Sequence, residues 1–422
     1  MTGYEGYKKT LNFIYSYFKD RIGLKPVNHT YSVLVPLEDE VFIEALEPFH
    51  LKVKAFAVNP NSINPSPTPP QGLIGRLVYL GDGDLKNYEG KDVNGSIVAI
   101  DFNSGYRWLT AANLGAQAVI FVEPKFTTYY ECDSKYLDTP IGFTRVYVRA
   151  SDWDLLKNAT KVKLVSRVSW IEVNATNLIV EIKGSTTPND IVILSTHFDS
   201  WSVVPSLASS KTELIPLTLL LQYAKYLVLN PPSYTIWLVF YSGHWQALTG
   251  SREFIEDYFF SEEVNNGQVR ILGNINFDLM ASDSDGLQLL QSSYYTTYGG
   301  NSMHGGGFPS RLTWFMSAVE SSLSSKEAST FISERLRVSN PLSIINTYFG
   351  TTGFWGTEPI PYMLDSEPAS ISGIPAFSIT TRRSSRMYIG SPIGDDAYAN
   401  VAKLNPYLQI ALYITDRIIR MT

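Results

Sequence analysis

Short, strongly hydrophobic runs alternate with helix-length stretches over the second half of the chain. The runs read NLIVEIKG, DIVILSTHF, YTIWLVFYSG and ILGNINFDLM, and segments with helical periodicity lie near 212–229 and 251–260. A later run, GIPAFSI, and an amphipathic closing stretch over Leu404–Ile419 continue this order. Uniformly apolar strands connected by helices are typical of a buried, mainly parallel sheet. We therefore predict an α/β domain with helices on both faces of a central sheet.

The first part of the chain follows a different pattern. Apolar residues recur at helical spacing within residues 4–22 and predict an amphipathic opening helix. The segment NPNSINPSPTPPQG, residues 59–72, predicts a surface loop. The runs GLIGRLVYLGDGD, NGSIVAIDF and LGAQAVIFVEP predict short strands, with a helix from Trp108 to Leu114. The order of these runs resembles the protease-associated (PA) domain, a small β-rich insert, over residues 42–168.

Composition limits the classes of function. The chain has 422 residues, of which 44% are hydrophobic and 18% charged, as expected for a folded protein with two domains. Its formal net charge of -6 argues against a nucleic-acid partner. Cys132 is the single cysteine, so no intrachain disulfide can form.

The sequence shows no clear targeting signal. The start MTGYEGYKKT lacks the apolar core of a signal sequence, and the stretch Leu214–Leu229 is too short to span a bilayer. We therefore expect no membrane span in this chain, although a removed anchor is compatible with it. Asn-x-Ser/Thr sequons at Asn28, Asn94, Asn158 and Asn174 would matter only in an exported protein.

Four segments in the second half resemble the co-catalytic di-zinc aminopeptidase family, whose relatives include glutamate carboxypeptidase, transferrin receptor and nicastrin. They are STHFDS at 195–200, ALTGSREF at 247–254, NINFDLM at 274–280 and LDSEPASISGIPA at 364–376. Their order and spacing match the family over residues 1–41 and 169–422. The resemblance implies a discontinuous aminopeptidase-like domain that is interrupted by the PA-like insert.

The resemblance also implies a set of site residues. In the family, two zinc ions share a bridging carboxylate, and a glutamate acts as general base on metal-bound water. His197 and Asp278 match one ligand for each metal, and Asp199 matches the carboxylate that orients the ligand histidine. Asp365 matches a further acidic landmark of the family.

The remaining ligands of the family are replaced. No aspartate occurs between Asp199 and Asp257, so Ser209 or Thr212 stands where the bridging carboxylate belongs, with Glu213 as the nearby acid. The adjacent Glu-Glu pair, general base and ligand, aligns with His244 and Trp245.

The last ligand, a histidine late in the chain, aligns near Gly390, and no histidine follows His304. Since a tryptophan cannot bind zinc, we expect the dinuclear centre to be lost.

These departures favour a catalytically inactive protein that acts in binding or scaffolding, as an extracytoplasmic or membrane-associated ectodomain with a peptide or protein partner. The resemblance to nicastrin and transferrin receptor implies the same, because both keep the fold without peptidase activity. The alternatives are an active zinc exopeptidase with a rebuilt metal site and, less favoured, a mono-zinc acyl-transfer enzyme similar to the glutaminyl cyclases.

No cofactor is expected in the inactive form, whereas a single zinc ion held by His197, His244 and Asp278 is the alternative. We expect the cleft to be formed by the following candidates: His197, Asp199, Glu213, His244, Trp245, Asp278 and Asp365.

Overall fold

One continuous β-sheet organises the protein. The computed structural model describes residues 1–280, 287–290, 325–336, 345–348, 363–381, 387–395 and 399–420. Within these residues the strands are β1 (Val27–Glu47), β2 (Leu51–Lys54), β3 (Phe56–Ala57), β4 (Leu73–Tyr79), β5 (Ile97–Asp101), β6 (Ala118–Val122), β7 (Thr144–Val148), β8 (Lys161–Ile182), β9 (Thr187–His197), β10 (Tyr234–Tyr241), β11 (Arg270–Asp278), β12 (Leu287–Leu290), β13 (Ile345–Tyr348) and β14 (Ala376–Thr381). They pair in the order β13-β12-β14-β11-β9-β10-β8-β4-β5-β6-β7-β3, and β1 pairs with β2 and β8.

Helices cover this sheet. In the described ranges they are α1 (Glu5–Ser16), α2 (Trp108–Asn113), α3 (Tyr129–Asp133), α4 (Ala150–Leu156), α5 (Ile215–Leu229), α6 (Thr249–Phe254), α7 (Glu262–Asn265), α8 (Lys326–Leu336), α9 (Glu367–Ile371) and α10 (Val401–Ile419). Wider π-helical turns extend α1 over Tyr17–Ile22 and α6 over Ile255–Phe259. Short 3₁₀ turns occupy Leu85–Tyr88, Gly105–Arg107 and Pro205–Leu207.

The centre of the sheet is parallel, as predicted. Strands β10, β9, β11 and β14 run in the same direction, and β8 pairs antiparallel with β10. Successive side chains of a strand point to opposite faces, and both faces here are apolar. In β9, Val192 and Leu194 pack with α5 and α10, whereas Ile191 and Ile193 pack with α6 and the following turn. The α/β class with helices on both faces is therefore confirmed.

The two parts of the chain are connected by a long two-stranded ribbon. Strand β1 pairs antiparallel with β8 from the Val27↔Ile179 pair to the Glu47↔Lys161 pair. The ribbon crosses both predicted boundaries of the insert, which lie inside these strands rather than between elements. The strand pairs β4–β5, β5–β6 and β6–β7 of the insert are parallel, with separate apolar clusters on the two faces. The assignment of residues 42–168 to a PA domain stays a prediction.

Several predicted elements have different bounds in the structure. The run NLIVEIKG is the last third of β8 rather than a separate strand, because the ribbon with β1 continues without a break. The helix expected over 251–260 is α6 followed by the π-helical turn. Most of the Ser-, Thr- and Gly-rich stretch near 284–360 lies outside the described residues. Among the described helices, none has the length and apolar character needed to cross a membrane.

Gly250, in the first turn of α6, sets how closely this helix approaches the sheet. A Cβ atom there would overlap the backbone oxygen of Ser242 and would lie 2.7 Å from both Asn177 Oδ1 and Tyr31 Oη. We predict that Gly250→Ala lowers the free energy of unfolding by about 1–3 kcal/mol or more, as measured by chemical denaturation. Gly6→Ala is the control, since nothing lies within 4 Å of its Cβ position in α1 and the change should stabilise by roughly 0.5–1 kcal/mol. Equal effects of the two changes would contradict this close packing.

Candidate functional site

The carboxyl edge of the parallel strands carries a buried group of imidazoles and carboxylates. His197 is the last residue of β9, Asp278 the last of β11, and His244 follows the end of β10. Asp365 lies just before α9. All four side chains are buried. The carboxyl ends of parallel strands meet at one edge of a sheet, so residues that are distant in sequence come together there.

Asp365 is the centre of this group. Its Oδ2 lies 2.8 Å from His244 Nδ1 and 3.5 Å from His197 Nδ1. The two imidazole rings stack with their centroids 3.9 Å apart and their planes 18° from parallel. The other oxygen, Oδ1, accepts a hydrogen bond of 2.9 Å from Ser251 Oγ on α6. His197, His244 and Asp365 each offer a ligand atom, and these atoms lie within 4.8 Å of one another.

Burial and charge act against each other in this group. Burial alone would raise the pKa of Asp365, but the nearby imidazoles of His244 and His197 hold that pKa well below its usual range. Burial alone would lower the pKa of His197, yet Asp365, Asp278 and Asp199 raise it above the ordinary histidine value. The site therefore favours the ionised form of Asp365 and the protonated form of His197.

Several buried polar atoms at this edge have no hydrogen-bond partner among the described residues. They are His197 Nδ1 and Nε2, Asp199 Oδ1, Glu213 Oε2 and Trp245 Nε1. The 3.5 Å contact of His197 Nδ1 with Asp365 is too long to satisfy the first of them. An unsatisfied buried polar atom costs roughly 1–3 kcal/mol, so a cluster of them is a feature that folded proteins usually avoid.

Asp199 is connected to the N-terminal segment. Its Oδ2 accepts a hydrogen bond of 2.8 Å from Thr2 Oγ1, which in turn accepts one of 3.1 Å from the backbone N–H of Gly243. Asp199 is buried together with Thr2. Thr2 therefore connects the Asp199 carboxylate to Gly243, the residue that precedes His244 after the end of β10. Sequence reasoning did not single out Thr2, because it lies far away along the chain and outside every motif.

Asp395 organises the loop where the family would place its bridging carboxylate. Its side chain accepts hydrogen bonds from Ser210 Oγ at 2.6 Å, from the backbone N–H of Lys211 at 2.8 Å and from Thr212 Oγ1. Glu213 follows directly, is buried, and donates its backbone N–H to Ser210 Oγ. Burial, followed by the charge of Asp395, raises the pKa of Glu213 well above the usual range. Glu213 is thus an acid that favours its neutral form.

Two tryptophans lie on the side of the site where the resemblance predicts two further ligands. Trp245 and Trp201 stack with centroids 5.8 Å apart, and Trp245 lies edge-on to His244 at 4.8 Å. The ring of Trp201 also lies edge-on to the ring of Tyr136 in the predicted insert, with the ring centroids 6.2 Å apart. Gly390 lies directly against the Trp201 ring, and a Cβ atom at Gly390 would overlap it. The backbone oxygen of Gly390 accepts hydrogen bonds from Ser202 Oγ and the Val203 N–H, which hold this contact in place.

The described residues do not fit a dinuclear zinc centre of the family type. Two close dications need several anionic or imidazole ligands. The indole of Trp245 offers only an N–H donor, and the position of Gly390 has no room for an imidazole. His197 and Asp278 remain from the original pattern, and the cluster within ligand distance instead contains His197, His244 and Asp365. His304 lies outside the described residues.

A mainly parallel sheet, covered by helices and carrying its polar group at the carboxyl edge, defines an aminopeptidase-like α/β protein. Residues 177–333 match Peptidase family M28. No curated protein matches the chain in sequence.

Solved structures give matches over almost the whole chain. The zinc aminopeptidase BSAP from Bacillus subtilis is 16% identical with a TM-score of 0.57, and the match covers 98% of this chain and 89% of that one. The Peptidase M28 precursor from Shewanella amazonensis is 17% identical with a TM-score of 0.52, covering 100% and 88%. Nicastrin, a component of gamma-secretase, is 12% identical with a TM-score of 0.51, covering 92% and 75%. The predicted resemblance to the zinc aminopeptidase family is therefore confirmed, and at these identities the structural matches concern the fold.

We predict that Gly390→Ala is more destabilising than Gly373→Ala. Both glycines have a left-handed backbone, with φ of +82° and +80°, but nothing lies within 4 Å of the Cβ position of Gly373. The control, Gly373→Ala, should lose about 1–2 kcal/mol of unfolding free energy, because its backbone conformation is unfavourable for alanine. Gly390→Ala should lose about 1–3 kcal/mol more, because its Cβ overlaps Trp201. In a double-mutant cycle measured by chemical denaturation, Trp201→Ala should remove this second part alone. Equal losses in the two single variants would contradict the contact.

The raised pKa of Glu213 predicts a specific pH dependence of stability. The folded state holds this proton at a pH where the unfolded state has lost it, so folding becomes less favourable as pH rises towards the folded-state pKa. In protein kept in a chelator, Glu213→Gln should remove this contribution. The variant should gain stability over the parent as pH rises above the ordinary glutamate pKa of about 4.3, by roughly 1.4 kcal/mol for each pH unit up to the folded-state pKa. Chemical denaturation at several pH values measures it, and the exposed Glu256→Gln is the control. A constant difference between Glu213→Gln and the parent would contradict the raised pKa.

Proposed function

We propose that this protein is a catalytically inactive member of the aminopeptidase fold that binds a peptide or protein partner. The observation that carries the proposal is the stacked pair of Trp201 and Trp245. Trp245 stands where the family has a metal-binding glutamate, and Trp201 closes the space beside Gly390 where the family has its last histidine ligand. Dinuclear hydrolysis requires a full set of ligands for both metals, because the metals together activate the attacking water.

The position of the general base supports the same proposal. His244 replaces the glutamate that would accept a proton from metal-bound water. Its Nδ1 is engaged with Asp365 Oδ2 at 2.8 Å, and its ring stacks on His197. A general base has to reach the water that it activates, and this imidazole is instead packed within a buried cluster.

The carboxyl edge of the sheet suits a ligand with a polar end. Trp201 and Trp245 are half-buried at the strand ends, next to the buried acids Asp199 and Glu213. Ligands of open α/β sheets collect at this edge. Aromatic rings beside a few convergent polar groups are a common composition for a binding pocket, and a peptide offers both apolar side chains and an amino group.

We further propose an extracytoplasmic location, with the chain acting as an ectodomain. All four sequon asparagines, Asn28, Asn94, Asn158 and Asn174, are exposed. An exposed asparagine is what glycan attachment in an exported protein requires. Nicastrin, which shares the fold, is a component of gamma-secretase, and a scaffolding role within an assembly is compatible with the exposed surface of this chain.

A panel of aminoacyl and dipeptide substrates, incubated with the protein and zinc, tests the proposal. We expect no turnover above that of a His197→Ala variant, because the ligands for a dinuclear centre are missing. The same peptides should change the fluorescence of the parent protein where they bind, through Trp201 and Trp245. Trp245→Phe should reduce that change, whereas Trp170→Phe, on the distant ribbon, should leave it intact.

Each readout has an outcome against the proposal. Zinc-dependent turnover that His197→Ala abolishes would establish an active exopeptidase with a rebuilt site. A fluorescence response that Trp245→Phe leaves unchanged would place the peptide outside the cleft.

A further inference from the structure

A groove on the outer surface separates α6, with the π-helical turn that follows it, from α9. Its volume of about 470 Å³ lies within the roughly 300–1,000 Å³ range of ligand-binding pockets. The groove starts beside Leu248 and Met363, near the carboxyl edge, and ends at Ile371 and Ser372, which precede β14 at the opposite edge of the sheet. The apolar residues of this α6–α9 groove are Leu248, Ile255 and Phe260 on one wall, and Met363, Pro368 and Ile371 on the other.

The two walls of the groove are fixed to each other within the chain. Ser251 on α6 donates a hydrogen bond of 2.9 Å to Asp365, just before α9. Phe254 and Ile255 pack in the same apolar cluster as Ala369 of α9. A preformed groove loses less conformational entropy on binding than one that has to be ordered by its partner.

Large apolar side chains in the groove remain in contact with solvent. Phe260 is 57% exposed and Ile371 is 52% exposed, and they lie on opposite walls. Single exposed apolar residues are ordinary, whereas an exposed apolar concavity is typical of a surface that another molecule covers. A groove between two helices, a few turns long, has the shape that receives the apolar side of an amphipathic helix.

The charges on the α6 side of the groove indicate the kind of helix that fits. The stretch Arg252–Glu263 contains five acidic residues and a single arginine. Glu256 lines the groove, and Glu253 lies one turn before it on the same side of the helix. Neither of these two carboxylates has an ion pair with a described residue, whereas Asp257 contacts His29. Unneutralised carboxylates beside an apolar groove complement a partner with basic residues.

We propose that the α6–α9 groove binds a basic amphipathic helix of a protein partner. The apolar stripe of that helix, with residues at i, i+3 or i+4, and i+7, covers Phe260 and Ile371. Lysine or arginine residues beside the stripe face Glu253 and Glu256. The inference goes beyond the proposed function, because the groove runs away from the carboxyl edge and its lining does not include the tryptophan pair.

Binding of a model peptide to the full chain tests the inference. The probe is a fluorescently labelled helical peptide of leucine and lysine with one apolar stripe, and anisotropy measures its affinity. We expect one peptide for each chain, with an affinity that falls as the salt concentration rises. Phe260→Ser and Ile371→Ser should each weaken binding at least about fivefold, since each removes an apolar anchor. Phe126→Ser is the matched control, at a 64% exposed phenylalanine of the predicted insert, and should bind as the parent does.

Charged residues of the groove should change the affinity in opposite directions. Glu256→Gln should weaken binding of the lysine peptide about two- to fivefold, which is the scale of a single exposed charge pair. Arg252→Gln should strengthen binding by a similar factor, because it removes a repulsion. The exposed Glu89→Gln, in the predicted insert, is the control and should have no effect. A peptide with glutamate in place of lysine should bind more weakly than the lysine peptide.

Several outcomes would overturn the inference. They are no binding of the leucine–lysine peptide, equal binding of the glutamate peptide, and affinities that Phe260→Ser and Ile371→Ser leave unchanged. Self-association of the chain that Phe260→Ser abolishes, measured by sedimentation equilibrium, would also overturn it, because a second copy would then occupy the groove. Trp245→Phe should leave the affinity for the lysine peptide unchanged while it reduces the response to dipeptides. Failure of the groove and failure of the proposed function are therefore distinguishable.

Discussion

The structure depends on one buried carboxylate at the point where four elements meet. Asp365 precedes α9, receives a hydrogen bond from Ser251 on α6, and faces His244 after β10 and His197 at the end of β9. Such a group is stable only if each partner is in place, because burial of an unpaired charge is expensive. The positions of two helices relative to two strands are thereby tied to the charge state of one side chain. Packing of the apolar faces of β9 and β10 supplies the rest of the constraint.

The fold and the chemistry of the site have separated in this protein. The strands, the close approach of Gly250 to the sheet and the acidic turn before α9 all follow the aminopeptidase pattern. These features serve packing, so they persist whether or not a metal is bound. Ligand positions serve the metal alone, and beside the histidines of this protein lies the stack of Trp201 and Trp245. Large aromatic rings bury apolar surface and fill space that would otherwise be a cavity.

Much of the fold could be predicted from the pattern of the chain. The apolar runs at 190–198, 234–243 and 271–280 predicted three strands that the structure contains, with bounds within a few residues. The length of β8 could not be predicted in this way. The first part of β8 follows a β-rich segment, and its last part begins the α/β domain. Local periodicity therefore predicts two separate strands, whereas pairing with β1 makes β8 one continuous strand.

The candidate site shows a similar division. His197, Asp199, His244, Asp278 and Asp365 could be selected because they follow predicted strands or match a motif, and the structure places them at the same edge of the sheet. Ser251 belonged to a recognised motif without a role. Thr2 lay outside every motif, and Asp395, in the run SPIGDD, had no role assigned at the site. They contact Asp199 and the loop at Ser210–Thr212 from opposite ends of the chain. Contacts of this kind depend on the path of the backbone, which a local pattern does not contain.

The sequence by itself therefore determined the α/β class and the carboxyl edge as the place of the polar residues, because periodicity and residue type carry that information directly. Only the tertiary structure decided that Asp365, rather than Asp278, is grouped with the two histidines, and that Trp201 fills the space beside Gly390. The physical reason is that ligand geometry and steric exclusion are relations of a few ångströms between side chains far apart in sequence. They exist only after the sheet has brought its strand ends together.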